Sequence, residues 1–263
     1  MEGLAPAPRP RVLLVEDDAP IRQFVAMALE ALAIDLVECP TLQAARHALG
    51  QGPAALVLLD LMLPDGSGLE LLHDATTRQR AGKARWVVFS AGLTARAQEQ
   101  LALSGVHRVL QKPVGLRALQ SCVEEMLRAN GPPAADTARV LVDDGITPDR
   151  QALARIDGTP QAEEDAVREY FDGRLDLFAR VKTHAGTRLA ADIAAGDAAL
   201  ARGDASALLV VAHGLKSVMR MLGRPTTAEL AQALELAART ERREAWDPLW
   251  QALRQALAGT PLA

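Results

Sequence analysis

The sequence predicts an α/β doubly wound domain with a five-stranded parallel sheet, followed by an all-α domain, an up-and-down helical bundle. Three observations predict this. Between Arg11 and Ala129, five short branched-aliphatic runs each precede a stretch with helical spacing. From Gln161 onward the spacing is helical throughout. Aromatic residues make up only 3% while alanine is abundant, which favours helices over an all-β fold.

The five runs are Val12–Val15, Ile34–Val37, Ala55–Leu59, Trp86–Phe89 and Val106–Leu110. Residues 11–129 therefore form the first domain. Asn130–Ala138, small and polar with two prolines, reads as the start of a linker over 130–160. Fully extended, those nine residues span at most about 30 Å. Arg139–Val142 fits a short strand, and Thr147-Pro148 fits a helix start running to about Ile156. The second domain, 161–258, contains candidate helices at 161–171, 174–202, 205–222, 227–240 and 248–258. Gly203-Asp204 stops one helix and caps the next. Thr226-x-x-Glu229 has capping-box spacing, and Asp247-Pro248 reads as a cap followed by proline.

Composition narrows the function. A net charge of -4 argues against nucleic-acid binding, which wants a basic field. Cys39 and Cys122 are the two cysteines, too few for a disulfide scaffold, so a reducing compartment is expected. Met1–Pro10 lacks the blocks of a signal peptide, and no apolar run reaches membrane-spanning length. The expectation is a cytoplasmic protein without membrane or nucleic-acid partners.

Ligands of open parallel sheets bind at the carboxyl ends of the strands. Glu16, Asp17 and Asp18 follow the first strand, Asp60 ends the third, Ser90 ends the fourth and Lys112-Pro113 ends the fifth. Clustered carboxylates must bind a hard cation or shift their pKa values upward. Mg²⁺ is the natural ion, and a lysine with a hydroxyl suits phosphoryl oxygens. The chemistry suggested is attack by the Asp60 carboxylate on phosphorus. Taken alone, Glu16–Asp18 is more often a solvated helix N-terminus, and Asp60 or Lys112-Pro113 more often a turn or strand end. Order and spacing lift the set above those readings. Pro64-Asp65-Gly66 adds a turn that starts the next helix.

Residues 11–129 resemble the receiver domain of bacterial response regulators, a flavodoxin-like fold. The matching motifs are VLLVEDD, LVLLDLMLPDGSG around Asp60, FSA at Phe89–Ala91 and QKP at Gln111–Pro113. The resemblance implies that Asp60 is the phosphoacceptor. It implies that Asp17 and Asp60 ligate Mg²⁺ with Glu16, through water, and the backbone carbonyl of Met62. It also implies that Ser90 hydrogen-bonds phosphoryl oxygens and that Lys112 pairs with the phosphorylated aspartate. Two positions depart from the family: the frequent aromatic three before the lysine is Val109, and the frequent Phe after Lys-Pro is Val114.

In the helix over 205–222, Leu208, Val211, Leu215, Val218 and Leu222 form a core stripe. At about 100° per residue, His213 falls roughly opposite that stripe and should face solvent, with Lys216, Ser217 and Arg220 on its side. Alone, such a histidine is more often an idle surface residue. The run Ala212-His213-Gly214-Leu215-Lys216-Ser217, followed by Gly223, resembles the signature of histidine-containing phosphotransfer (HPt) domains; Gly203-Asp204 and Leu234-Glu235 also fit it. The likeness covers roughly 161–258 and implies a four-helix bundle core, in which His213 accepts and donates a phosphoryl group and Lys216 assists electrostatically. Ser217 and Gly223 would leave room for a docking receiver. His47, His73, His107 and His184 match neither signature, and Trp246 and Trp250, four apart, should pack one helix face.

The reading is a phosphorelay signalling module rather than an enzyme. A sensor histidine kinase or another phosphotransfer protein would load Asp60. His213 would exchange phosphate with its own receiver or with a downstream receiver domain. The alternatives are a Mg²⁺-dependent phosphohydrolase with an aspartate nucleophile, and a phosphorylation-gated scaffold without internal transfer. The first would need a second aspartate where Met62 stands.

Overall fold

The computed structural model describes residues 9–90, 101, 104–128 and 157–259. The expected linker, the strand at 139–142 and the helix after Thr147 lie outside these residues. So does most of the segment after the fourth run.

The first domain is a parallel sheet of β1 (Arg11–Val15), β2 (Asp35–Cys39), β3 (Leu56–Asp60), β6 (Arg85–Ser90) and β7 (Arg108–Gln111), in the order β2-β1-β3-β6-β7. All four strand pairings are parallel. β3 is buried along its whole length, as its unbroken apolar run requires when both sheet faces are covered. Covering helices are α1 (Ala19–Leu29), α2 (Leu42–Gly50), α3 (Leu69–His73), α4 (Ala75–Ala81) and α5 (Leu116–Arg128). The β1–β3 pairing sets Val15 beside Leu59, which brings the residues after both strands to one edge.

The turn after Asp60 differs from the sequence expectation. Residues 62–67 form a small antiparallel hairpin of β4 (Met62–Leu63) and β5 (Gly66–Ser67). Asp65 starts no helix of its own; its two carboxylate oxygens accept from the Leu42 and Gln43 amides and cap α2. Gly68 is required where the hairpin closes, because a Cβ there would overlap the backbone carbonyl of Asp60.

The second half contains α6 (Pro160–Phe171), α7 (Leu175–Arg202), α8 (Ala205–Met221), α9 (Pro225–Arg239) and α10 (Trp246–Ala258). Helices α7 to α10 form the four-helix bundle: α8 touches α7 and α9, and α10 touches α9 and α7. Gly203 in the left-handed region stops α7, and the Asp204 side chain accepts from the Ala207 amide to cap α8, as expected. Two other expected caps are wrong. α9 starts at Pro225, and the amides of Thr226 and Thr227 donate to Asp157, more than sixty residues upstream. α10 starts at Trp246 after a 3-10 turn (Arg243–Ala245), one residue before Asp247. Asp157 satisfies the start of α9 from far upstream, while the 3-10 turn leads directly into α10 without a side-chain cap, so the local signal misplaces both boundaries. Trp246 and Trp250 are both buried on one side of α10.

The halves share one apolar core. A single cluster of buried side chains runs from Val12 and Phe24 of the first domain to Leu257 of the second. Helix α6 sits at the join. Phe171 packs edge-on against Phe24 of α1 and Phe178 of α7, with ring centroids 5.4 Å apart in both pairs. Phe171 is fully buried, so Phe171→Ala is expected to cost about 3–5 kcal/mol. Urea denaturation followed by circular dichroism reads this as a lowered midpoint.

Candidate functional site

The carboxyl edge of the sheet gathers the expected residues. Glu16 and Asp17 follow β1, Asp60 ends β3, Ser90 ends β6 and Lys112 follows β7. Ligand atoms of Glu16, Asp17 and Asp60 lie within 4.8 Å of one another. Lys112 Nζ is buried and bridges Glu16 Oε2 at 2.5 Å and Asp60 Oδ2 at 2.6 Å. Its amide donates to the Ser90 carbonyl at 2.7 Å, which ties the serine and lysine strand ends together. Ser90 is buried. The other Asp60 oxygen, Oδ1, accepts from the Met62 amide at 3.1 Å.

Charge accounts for the pKa shifts. Burial raises Glu16 well above the usual carboxylate range; Lys112 opposes this, while Asp60 and Asp17 add to it. Burial and the Asp60 charge raise Asp17. Lys112 is raised although burial pulls it down, because Asp60 and Glu16 favour its charged form. Three carboxylates against one ammonium leave the edge negative. Such an all-oxygen donor set fits a small hard cation such as Mg²⁺. Arg22, which sequence reasoning missed, holds the acidic loop in place: its Nη1 donates to the Glu16 and Asp17 carbonyls. Asp18 does not join the cluster. Its Oδ1 accepts from the Ile21 amide and caps α1.

The second half corrects one expectation. His213 does not face solvent: it is 7% exposed, because α8 lies against the sheet edge. Its Nε2 is 4.0 Å from Asp60 Oδ2, beyond hydrogen-bond reach, and is buried without a hydrogen-bond partner among the described residues. The wheel was right about the side of the helix; the first domain itself covers that side.

Nδ1 of His213 lies 3.2 Å from Glu235 Oε1 on α9. Lys216 Nζ reaches Glu235 Oε2 at 2.5 Å, and Arg239 Nη2 reaches Oε1 at 2.6 Å. Burial would raise Glu235, but hydrogen bonds and charge from His213 and Lys216 bring it down to about 2. An ionised carboxylate only accepts, so the network assigns the proton of a neutral His213 to Nδ1 and leaves the Nε2 lone pair directed at Asp60. Arg239 Nη2 also lies 3.9 Å from Met62 Sδ, a further contact between the halves. The partnership of Glu235 and Arg239 with His213 was not read from sequence; the available signal was that Leu234-Glu235 fits the HPt signature.

Ser217 is buried and its hydroxyl donates to the His213 carbonyl. Gly223 lies against α6: a Cβ there would meet the Ala162 carbonyl at 2.5 Å. Trp86 N–H donates to His107 Nδ1, and His73 pairs with Ser104, so both have structural partners. Burial raises both cysteine thiols to about 11.

Comparisons with known proteins match each half of the chain to a family. The response regulator receiver domain model matches residues 12–124, and the Hpt domain model matches residues 187–260. The response regulator protein PilR of Pseudomonas aeruginosa is 30% identical over 188 residues, covering 69% of this chain and 41% of PilR. The phosphate regulon transcriptional regulatory protein PhoB of the same species is 31% identical over 125 residues, 46% of this chain and 53% of PhoB. The chain spans about half the length of the curated relatives it matches. Among solved structures, a CheY-like receiver domain protein from Methanospirillum hungatei has 23% identity and a TM-score of 0.42, covering 45% of this chain and 94% of that one.

Glu235 sets a pH expectation. Its folded pKa lies below the usual 4.5, so its stabilisation is complete above about pH 4.5 and is lost as pH falls towards about 2. Thermal melts across that window should fall more steeply for the wild type than for Glu235→Gln. Equal slopes would mean that the carboxylate is not held this way.

Proposed function

We propose that this chain, which carries a response regulator receiver domain followed by an Hpt domain, is a two-component phosphorelay protein in which Asp60 and His213 exchange one phosphoryl group within the same molecule. The observation that carries this reading is the buried His213 Nε2, unpartnered and 4.0 Å from Asp60 Oδ2.

Asp60 Oδ1 is committed to the Met62 amide, whereas Oδ2 faces both Lys112 and His213. Oδ2 is therefore the reacting oxygen. It takes a phosphoryl group from a sensor histidine kinase or another phosphotransfer protein. In the exchange, the His213 Nε2 lone pair attacks phosphorus, the P–Oδ2 bond breaks and Asp60 leaves as a carboxylate. His213 keeps its proton on Nδ1, and Glu235 offsets the positive charge that the ring gains. The reverse step is the same path with Asp60 as the nucleophile. Lys112 offsets charge on the Asp60 side, Lys216 lies on the His213 side, and Ser90 is placed to donate to phosphoryl oxygens.

The carboxylates of Glu16, Asp17 and Asp60, with the Met62 carbonyl, would hold Mg²⁺. When bound, the ion supplies positive charge to the phosphoryl oxygens. A downstream receiver domain is the onward partner once the halves separate. No helix among the described residues is long and apolar enough to cross a membrane, and a cytoplasmic site of action fits that reading.

The test uses full-length wild type, Asp60→Asn and His213→Gln with acetyl phosphate and Mg²⁺, followed by intact mass and by acid and alkali lability. Wild type is expected to gain alkali-stable phosphate at a rate independent of protein concentration. Asp60→Asn should gain none, and His213→Gln should hold only alkali-labile label. Chelating Mg²⁺ should abolish labelling. Alkali-labile label alone in the wild type would sink the internal relay and leave a phosphorylation-gated scaffold.

A further inference from the structure

Gly214 stands inside α8, next to His213, with an ordinary helical backbone. Glycine at such a position is less favourable than alanine, so its presence needs a reason. Other glycines of the bundle are needed by the bundle. A Cβ on Gly196 would overlap Trp250, and one on Gly223 would meet Ala162. At Gly214, outside the helix's own backbone and the chain neighbours, the atoms of the described residues within 4 Å of an added Cβ belong to Asp18: Oδ2 at 2.8 Å and Cγ at 3.8 Å. The obstacle belongs to the receiver. Among the described residues, no bundle side chain crowds this position.

Asp18 has little freedom to give way. Its Oδ1 caps α1 through the Ile21 amide at 2.9 Å, and its own amide donates to Glu16 Oε1 at 3.3 Å. A side chain at 214 would either break that cap or lift α8 off the sheet edge. Lifting α8 widens the gap between His213 Nε2 and Asp60 Oδ2.

We infer that Gly214 is a specificity-determining residue: the bare helix surface beside His213 receives the Asp18 carboxylate of this chain's own receiver. The pair Gly214–Asp18 then sets how closely histidine and aspartate approach. A receiver with a short residue capping its first helix fits this face, and one with a longer residue there does not. The inference concerns docking and rests on the phosphoryl exchange proposed above for its consequence.

The experiment compares full-length wild type, Gly214→Ala, Gly214→Leu, Asp18→Ser and the Gly214→Ala/Asp18→Ser double variant. Serine is shorter and still caps a helix. The first readout is the rate of alkali-stable phosphate formation after acetyl phosphate loading. The second is the rate of carbethoxylation of His213 by diethyl pyrocarbonate, followed by peptide mass, which reports docking without phosphate. Gly214→Ala is expected to slow transfer about tenfold, and Gly214→Leu about a hundredfold, as misplacement of about 1 Å allows. Both should expose His213 to the reagent. In the double variant, rate and protection should return towards wild type. Alkali-labile loading of Asp60, measured in a His213→Gln background, should not change. Wild-type transfer and protection in Gly214→Leu would overturn the inference, and so would failure of Asp18→Ser to rescue Gly214→Ala. If wild type forms no phosphohistidine but the protection pattern holds, the relay falls and the docking role stands.

Discussion

Three carboxylates, those of Glu16, Asp17 and Asp60, are held at one sheet edge with ligand atoms within 4.8 Å of one another, and their repulsion must be answered by positive charge. Lys112 answers part of it from the end of β7, touching Glu16 and Asp60 at once. The loop that carries Glu16 and Asp17 is pinned through its carbonyls by Arg22. On the other side, His213 reaches the same edge backed by Glu235, whose charge is itself met by Lys216 and Arg239. Two ionic networks thus meet with one unpartnered nitrogen between them. Glu16 and Asp60 share Lys112, and Glu235 is met by Lys216 and Arg239; such contacts are what buried charges need to be tolerated.

Apolar packing provides the alignment. Side-chain contacts such as the 4.0 Å approach of His213 to Asp60 need a wider contact to hold α8 at the strand end. That contact is the shared core, centred on Phe171 between Phe24 and Phe178. α6 therefore acts as a spacer. It belongs to the second half in sequence, yet it packs against both α5 and α7. α1 also packs directly against α7, so the halves meet both through this helix and beside it.

Much of this was legible in the residues. The five runs gave the sheet because branched-aliphatic stretches of four or five residues have few other uses. Strand ends placed Asp60, Ser90 and Lys112 together because a parallel sheet has one carboxyl edge. The helix wheel put His213 on the correct side of α8. Exposure was misread, since a wheel describes one helix and not what lies against it. Helix starts at Pro225 and Trp246 were misplaced for a similar reason: Asp157 supplies the cap of α9 from far upstream, and a 3-10 turn precedes α10. The partners of His213 come from α9, which no local pattern on α8 announces.

The docked placement of His213 has a consequence for competition. Two domains on one chain meet at an effective concentration of the order of millimolar. A separate receiver present at micromolar levels starts about a thousandfold behind, a handicap of roughly 4 kcal/mol. Tighter binding of His213 by an outside receiver is therefore a poor way to collect the phosphoryl group. A partner that loosens the seam around Phe171 gains more, because it removes the tethered rival and not merely outbids it. Under the proposed relay, traffic out of this protein would be set by how often the two halves part, with the aromatic seam as the timer.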